Sequence, residues 1–248
     1  MQYVDVILYY LWKKSKQQSH SKYRYATTNC FFKTYINNAN VVPENEYKII
    51  GPIKGLGIPG GLPWHLTNEV YVPTNCNGEF HWVLEVVLLK ERCIKKLCSD
   101  IQKLSTLLPK YLESSGFFYQ KDLTNWSVLE SYQVKNKSHP FEVTHVNGIA
   151  QQPSNNCGLF VVAYAEFLRD VLQVPSYGII FETLHMRYAS LLWNYEILKA
   201  RSGYVSNNED HGGLDLKKKS SMKMLWLPPL IRLMVMYTIV NYLFVDKL

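Results

Sequence analysis

The segment that follows Cys157, GLFVVAYAEFLRDVL, is apolar nearly all the way round a helix for about three turns. A helix without a polar face cannot lie on a surface. It has to run through a domain with other elements packed on every side. Residues 81–89, HWVLEVVLL, make the same demand of a strand: they are β-rich, almost continuously apolar, and suited to a central strand covered on both faces. Helix segregated at one end and strands in the middle predict an α+β domain.

The rest of the chain supplies the outer layers. Val4, Ile7, Leu8 and Leu11 recur at helical spacing and predict a helix over residues 2–13, followed by polar linker over 16–25. A short helix is expected over 28–35, capped by Thr27 or Thr28 and presenting Phe31, Phe32 and Tyr35. Residues 51–63, rich in glycine and proline, read as loop. Residues 69–74 alternate as a strand. Ser99 and Gln102 have capping-box spacing, opening a helix that carries Ile101, Leu104, Leu107 and Leu108. Residues 141–146 read as another strand and 184–199 as a last amphipathic helix with Tyr188, Leu191, Leu192 and Tyr195 on one side. The predicted organisation is one domain over 1–203, a basic linker over 204–224, and an apolar tail over 225–248.

Composition excludes some classes of function. Of 248 residues, 47% are hydrophobic and 19% charged, which describes a folded globular chain and not a disordered one. The net charge of +7 is concentrated at the end: from Leu216 onward six basic residues face one acid, leaving only +2 on the rest. Basic charge on an appendage and not on a folded face argues against nucleic acid as the partner. An accessory role for a mobile element on DNA would rest on this tail alone. Five irregularly spaced cysteines form no CxxC pair, so zinc and disulfides are not expected, and a reducing nuclear or cytoplasmic setting fits best. No cofactor is expected, and the chain reads as a monomer. Residues 225–245 are long enough to cross a bilayer. Pro228, Pro229, Arg232 and Asn241 count against that, so a membrane contact is expected, if at all, only through this tail.

The chemistry-bearing residues gain weight in combination. Cys157 stands where the most apolar helix begins. Unsatisfied N–H groups and the helix dipole favour an anion there, and a thiolate is the nucleophilic form of cysteine. Gln151 and Gln152 lie just upstream, where a side-chain amide can donate to a developing oxyanion. His81, at the mouth of a buried strand, suits a general base. Each also has a bland reading: a packed histidine, a buried small thiol. His65, beside Trp64, reads as loop packing.

At these residues a resemblance becomes specific. VYVPTNCNGEFHWVLEVV resembles the Pro-x-Asn-loop-His-Trp strand of the ubiquitin-like-protein-specific (SUMO-type) cysteine proteases, and QQPSNNCGLFVVAYAEFL is similar to their Gln–Cys-Gly–apolar helix block. The order His81 before Cys157, 76 residues apart, also agrees with that family. The opening YVDVILYYL and the TNCFFKTYI block resemble its first two helices, so the likeness spans roughly residues 1–200. The wording is closest to plant, often transposon-associated, versions. The resemblance implies a papain-like (adenain-like) fold, with a central mixed sheet and a buried helix carrying the nucleophile at its N-terminus, and a thiol isopeptidase. His81 would deprotonate Cys157, which would attack the carbonyl after the C-terminal glycine of a ubiquitin-like modifier. Gln151 or Gln152 would hold the oxyanion. Trp82 would cover the channel for the Gly-Gly tail, with plain core packing as the alternative.

The chain also departs from the family pattern. Where an aspartate orients the histidine, the ungapped reading places Cys98, and Asp100 replaces it only if the strand end shifts; otherwise Asp100 is an acid in a helix's first turn. The loop there is shortened, the chain starts inside the first helix, and Asn156 precedes the nucleophile where aspartate is the rule. In a serine triad, exchanging the orienting carboxylate for its amide costs about 10⁴ in turnover. A thiol depends on it less. The expectation is a slowed enzyme; the alternative is a degenerate domain that binds a ubiquitin-like protein without turnover.

Overall fold

A computed structural model of the chain describes residues 3–17, 24–39, 45–57, 61–76, 81–96, 101–150 and 157–201. Five strands form one sheet in the order β1-β2-β3-β4-β5. They are β1 (Tyr25–Thr27), β2 (Glu69–Cys76), β3 (His81–Leu88), β4 (Cys93–Lys96) and β5 (Glu142–His145). The pairs β2–β3 and β3–β4 are antiparallel, while β1 on β2 and β5 on β4 are parallel, so the sheet is mixed. The helices are α1 (Tyr3–Gln17), α2 (Phe32–Asn37), α3 (Asn45–Ile53), α4 (Gln102–Ser114), the single turn α5 (Glu130–Gln133), α6 (Cys157–Arg169) and α7 (Phe181–Arg201).

The period-2 alternation of strands sorts the core into two layers. Val70 and Val72 of β2 and Val87 of β3 face one side, where they meet Phe32, Ile36, Ile49, Leu104 and Leu108 from α2, α3 and α4. Tyr71, Leu84 and Val86 face the other, with Ile7 and Leu11 of α1, Leu159 and Val162 of α6, and Tyr188 of α7. Both faces of β3 are therefore covered, which is why its sequence is nearly all apolar. This is the α+β arrangement anticipated above: a central mixed sheet with a buried helix that begins at Cys157. Every residue from Cys157 to Glu166 is buried.

Several boundaries differ from the sequence reading, each for a local reason. The second helix starts at Phe32, not at residue 28, and neither Thr27 nor Thr28 caps it; the Asn29 side chain accepts from the Phe31 N–H instead. Phe32 is buried while Phe31 lies 46% exposed. Residues 51–53, read as loop, complete α3, because burial of Ile49, Pro52 and Ile53 outweighs the helix bond that Pro52 cannot donate. A Schellman motif ends that helix: Leu56 N–H donates to Gly51 O at 2.8 Å and Gly55 N–H to Pro52 O at 3.0 Å. Gly55 sits at φ +75, and a Cβ there would meet Pro63 at 2.7 Å, so only glycine fits. Ser99, from which a capping box was expected, lies outside the described residues. Helix α4 opens at Gln102 with Ile101 at its N-cap, no side-chain cap and no acid in its first turn. Helices α1 and α7 are longer than expected, and β1 was not foreseen within what read as linker. The linker 204–224 and the tail 225–248 lie outside the described residues. No helix among the described residues is long and apolar enough to cross a membrane.

Candidate active site

Cys157 is the first residue of α6 and is 6% exposed. The helix it opens packs against β3, whose first residue is His81 and second Trp82. The two elements that carry the expected base and nucleophile are therefore in direct contact. Trp82 is half-buried and lies against the cluster that contains Phe160 and Val161 of α6. Across the β2–β3 ladder the residue opposite His81 is Cys76, buried beside Val83, a neighbour to which the sequence reading gave no role.

Ala150, the last described residue before α6, is held from two directions. Ala150 N–H donates to Pro175 O at 3.0 Å, and the Tyr164 hydroxyl, one face of α6 further on, donates to Ala150 O. Burial pushes the Tyr164 phenol up to about 12, so it stays a donor across the physiological range. At its other end α6 is tied to α7: Arg187 pairs with Glu166 at 2.6 Å and the Tyr188 hydroxyl donates to Glu166 at 3.1 Å. Arg169 adds a bidentate contact to Asp170, both bonds at 2.8 Å. These bonds hold the helix from both ends, so the position of its first residue is set by the scaffold and not by the loop alone.

Gln151, Gln152 and Asp100 lie outside the described residues. His65, read as loop packing, is half-buried and its Nε2 comes within 3.5 Å of Asp122 Oδ2. Glu69 on β2, read only as a strand residue, and Lys95 on β4, given no role, both line a cavity beside α6.

No family model matches the chain, and no curated protein sequence does. Among solved structures it is similar in fold to the SUMO protease Ulp1 with the catalytic cysteine oxidized to a sulfonic acid, at 17% identity and a TM-score of 0.44, covering 69% of this chain and 66% of that one. It is also similar to the C-terminal Ulp1 protease domain in complex with Smt3, the yeast ortholog of SUMO, at 15% identity and a TM-score of 0.43, covering 69% of this chain and 65% of that one. The chain thus spans just under two thirds of the length of these structures.

Proposed function

We propose that this chain is a cysteine-type isopeptidase or peptidase that cleaves after the C-terminal glycine of a ubiquitin-like modifier. The observation that carries the reading is the packing of a helix tipped by Cys157 on a strand opened by His81-Trp82. Tyr164 and Leu168 of α6 share a cavity wall with Leu84 and Val86 of β3. From Tyr164 back to Cys157 is about 10 Å along a helix, and from Leu84 back to His81 is about 10 Å along a strand. If both steps run toward the same end of the sheet, His81 and Cys157 would meet, and the shared lining supports that reading.

In this reading His81 accepts the proton of the Cys157 thiol and the sulfur attacks the carbonyl of the modifier's last glycine. A glutamine amide, from Gln151 or Gln152, donates to the oxyanion. His81 then returns the proton to the leaving lysine amine, and water releases the thioester. Trp82, half-buried, roofs the passage for the Gly-Gly tail. Asp100 is the candidate to orient His81, taking the place of the aspartate that the family pattern puts nearby. The site works in the nucleus or cytoplasm, where thiols stay reduced, within a domain over 1–203.

A ubiquitin-like modifier carrying an electrophile at its C-terminus tests the reading. Labelling of the full chain that disappears in Cys157→Ala and falls at least a hundredfold in His81→Ala is the expected result. Binding of the same modifier with no adduct at Cys157 would overturn the enzyme and leave a binding domain.

A further inference from the structure

Beside the half of α6 remote from Cys157 lies a cavity of about 330 Å³. Leu84 and Val86 form its floor, Tyr164 and Leu168 one wall, and Glu69 and Lys95 bound it on the flanking strands. Such a volume is at the lower end of ligand-pocket sizes. It admits one long side chain or a small aliphatic molecule, not a nucleotide.

Two observations give the cavity a chemical preference. Glu69 Oε2 is buried and accepts no hydrogen bond among the described residues. A carboxylate oxygen removed from water without a donor is unfavourable, and a charged donor brought to it would relieve that. Lys95, on the other flank, is exposed. Its charge is solvated and screened. The register keeps the two apart: Lys95 pairs with Val86, whereas Glu69 pairs with Leu88 two residues along the same strand. No ion pair joins them among the described residues.

We propose that this cavity binds an alkyl chain ending in an ammonium group, with the chain against Leu84, Val86 and Leu168 and the head on Glu69 Oε2. The same chemistry is carried by a lysine side chain of a polypeptide and by a free aliphatic amine. The site is independent of the Cys157 chemistry, because its walls contain none of the residues assigned to catalysis.

The test is a titration of the full chain, labelled at leucine and valine methyls, with hexylammonium, 1-hexanol and hexanoate in parallel. Hexylammonium is expected to shift the Leu84, Val86 and Leu168 methyls saturably, at least tenfold more tightly than hexanol, with hexanoate silent. Glu69→Gln, which keeps the shape and removes the charge, should abolish that preference. Equal response to the amine and the alcohol, or an unchanged preference in Glu69→Gln, would overturn the proposal. A blocked pentapeptide Ala-Ala-Lys-Ala-Ala supplies the second arm. Saturable shifts of the same methyls, lost in Glu69→Gln, assign the site to polypeptide lysines; hexylammonium binding without peptide binding assigns it to free amines. The same titration on Cys157→Ala should give identical shifts, which separates this site from the active-site reading.

Discussion

Two corners of the molecule hold a polar residue where the main chain turns, and they use it in opposite ways. At the β3–β4 turn Arg92 is 2% exposed and sits at φ +54. Its Nη2 donates to the carbonyls of Asn136 at 2.7 Å and Lys137 at 2.8 Å, and also to that of His139. The guanidinium lies over the Tyr132 ring at 5.1 Å, and the Tyr132 hydroxyl returns to Leu89 O at 2.7 Å. With the Lys135 carbonyl, which accepts from Nη1 at 3.4 Å, four carbonyls and a ring leave this cation one role, to staple the 134–140 segment to the sheet. At the other corner, the start of α6, Cys157 is buried too, and in the proposed reading its chemistry needs a partner from β3. A corner saturated with local bonds is scaffold. A corner whose key residue depends on an element 76 positions earlier is where a site can be built.

The contrast can be broken by mutation, and the staple should show the largest effect. Arg92→Met, similar in length but without donors, leaves buried carbonyls unsatisfied and should cost about 2–3 kcal/mol in urea unfolding. Arg92→Lys should recover only a small part, because a single ammonium cannot reproduce the planar fork. Neither substitution should change the reactivity of Cys157 below the unfolding transition. Tyr164→Phe removes one hydrogen bond at the other corner and should cost about 1 kcal/mol. Its effect on probe labelling should exceed its effect on stability, since the bond it breaks positions the loop leading to Cys157.

The smallest effect concerns His185, which is 1% exposed on α7. Burial depresses its pKa below the ordinary 6.5, only partly offset by the Phe181 carbonyl and by Glu182. The unfolded chain therefore binds a proton before the folded one does. Stability is unaffected above the unfolded value and falls as pH drops from about 6.5 toward the folded value. Urea midpoints at pH 7.5 and 5.5 should show a smaller acid loss in His185→Gln than in the parent chain.

Much of the scaffold could be read from the chain because period and burial coincide there. The all-apolar run after Cys157 forecast α6, and residues 81–89 forecast a central strand; both are governed by the hydrophobic effect acting over many residues. The misreadings occur where one bond or one packed side chain decides. Pro52 and Gly51 look like loop punctuation, yet tertiary burial keeps them helical up to the Schellman turn at Gly55. Ser99 offered a capping box, but Ile101, 2% exposed, enters the core and sets the start of α4 instead. Strand β1, three residues long, carries too little pattern to be seen. The candidate pair His81 and Cys157 had only weak local signals, a helix start and a strand mouth. It was suggested by family resemblance, and only the contact of α6 with β3 gives it a physical basis. The Glu69 cavity could not have been anticipated, since it depends on register between strands that the sequence does not encode locally.

The central claim is that the imidazole of His81 acts on the sulfur of Cys157. Iodoacetamide alkylation at pH 7, followed residue by residue with mass spectrometry, measures it directly in the parent chain and in His81→Ala. The account predicts that Cys157 reacts fastest among the cysteines in the parent chain and slows at least tenfold in the variant, while Cys93 keeps its rate. Equal Cys157 rates in the two proteins, with the fold intact, would contradict it.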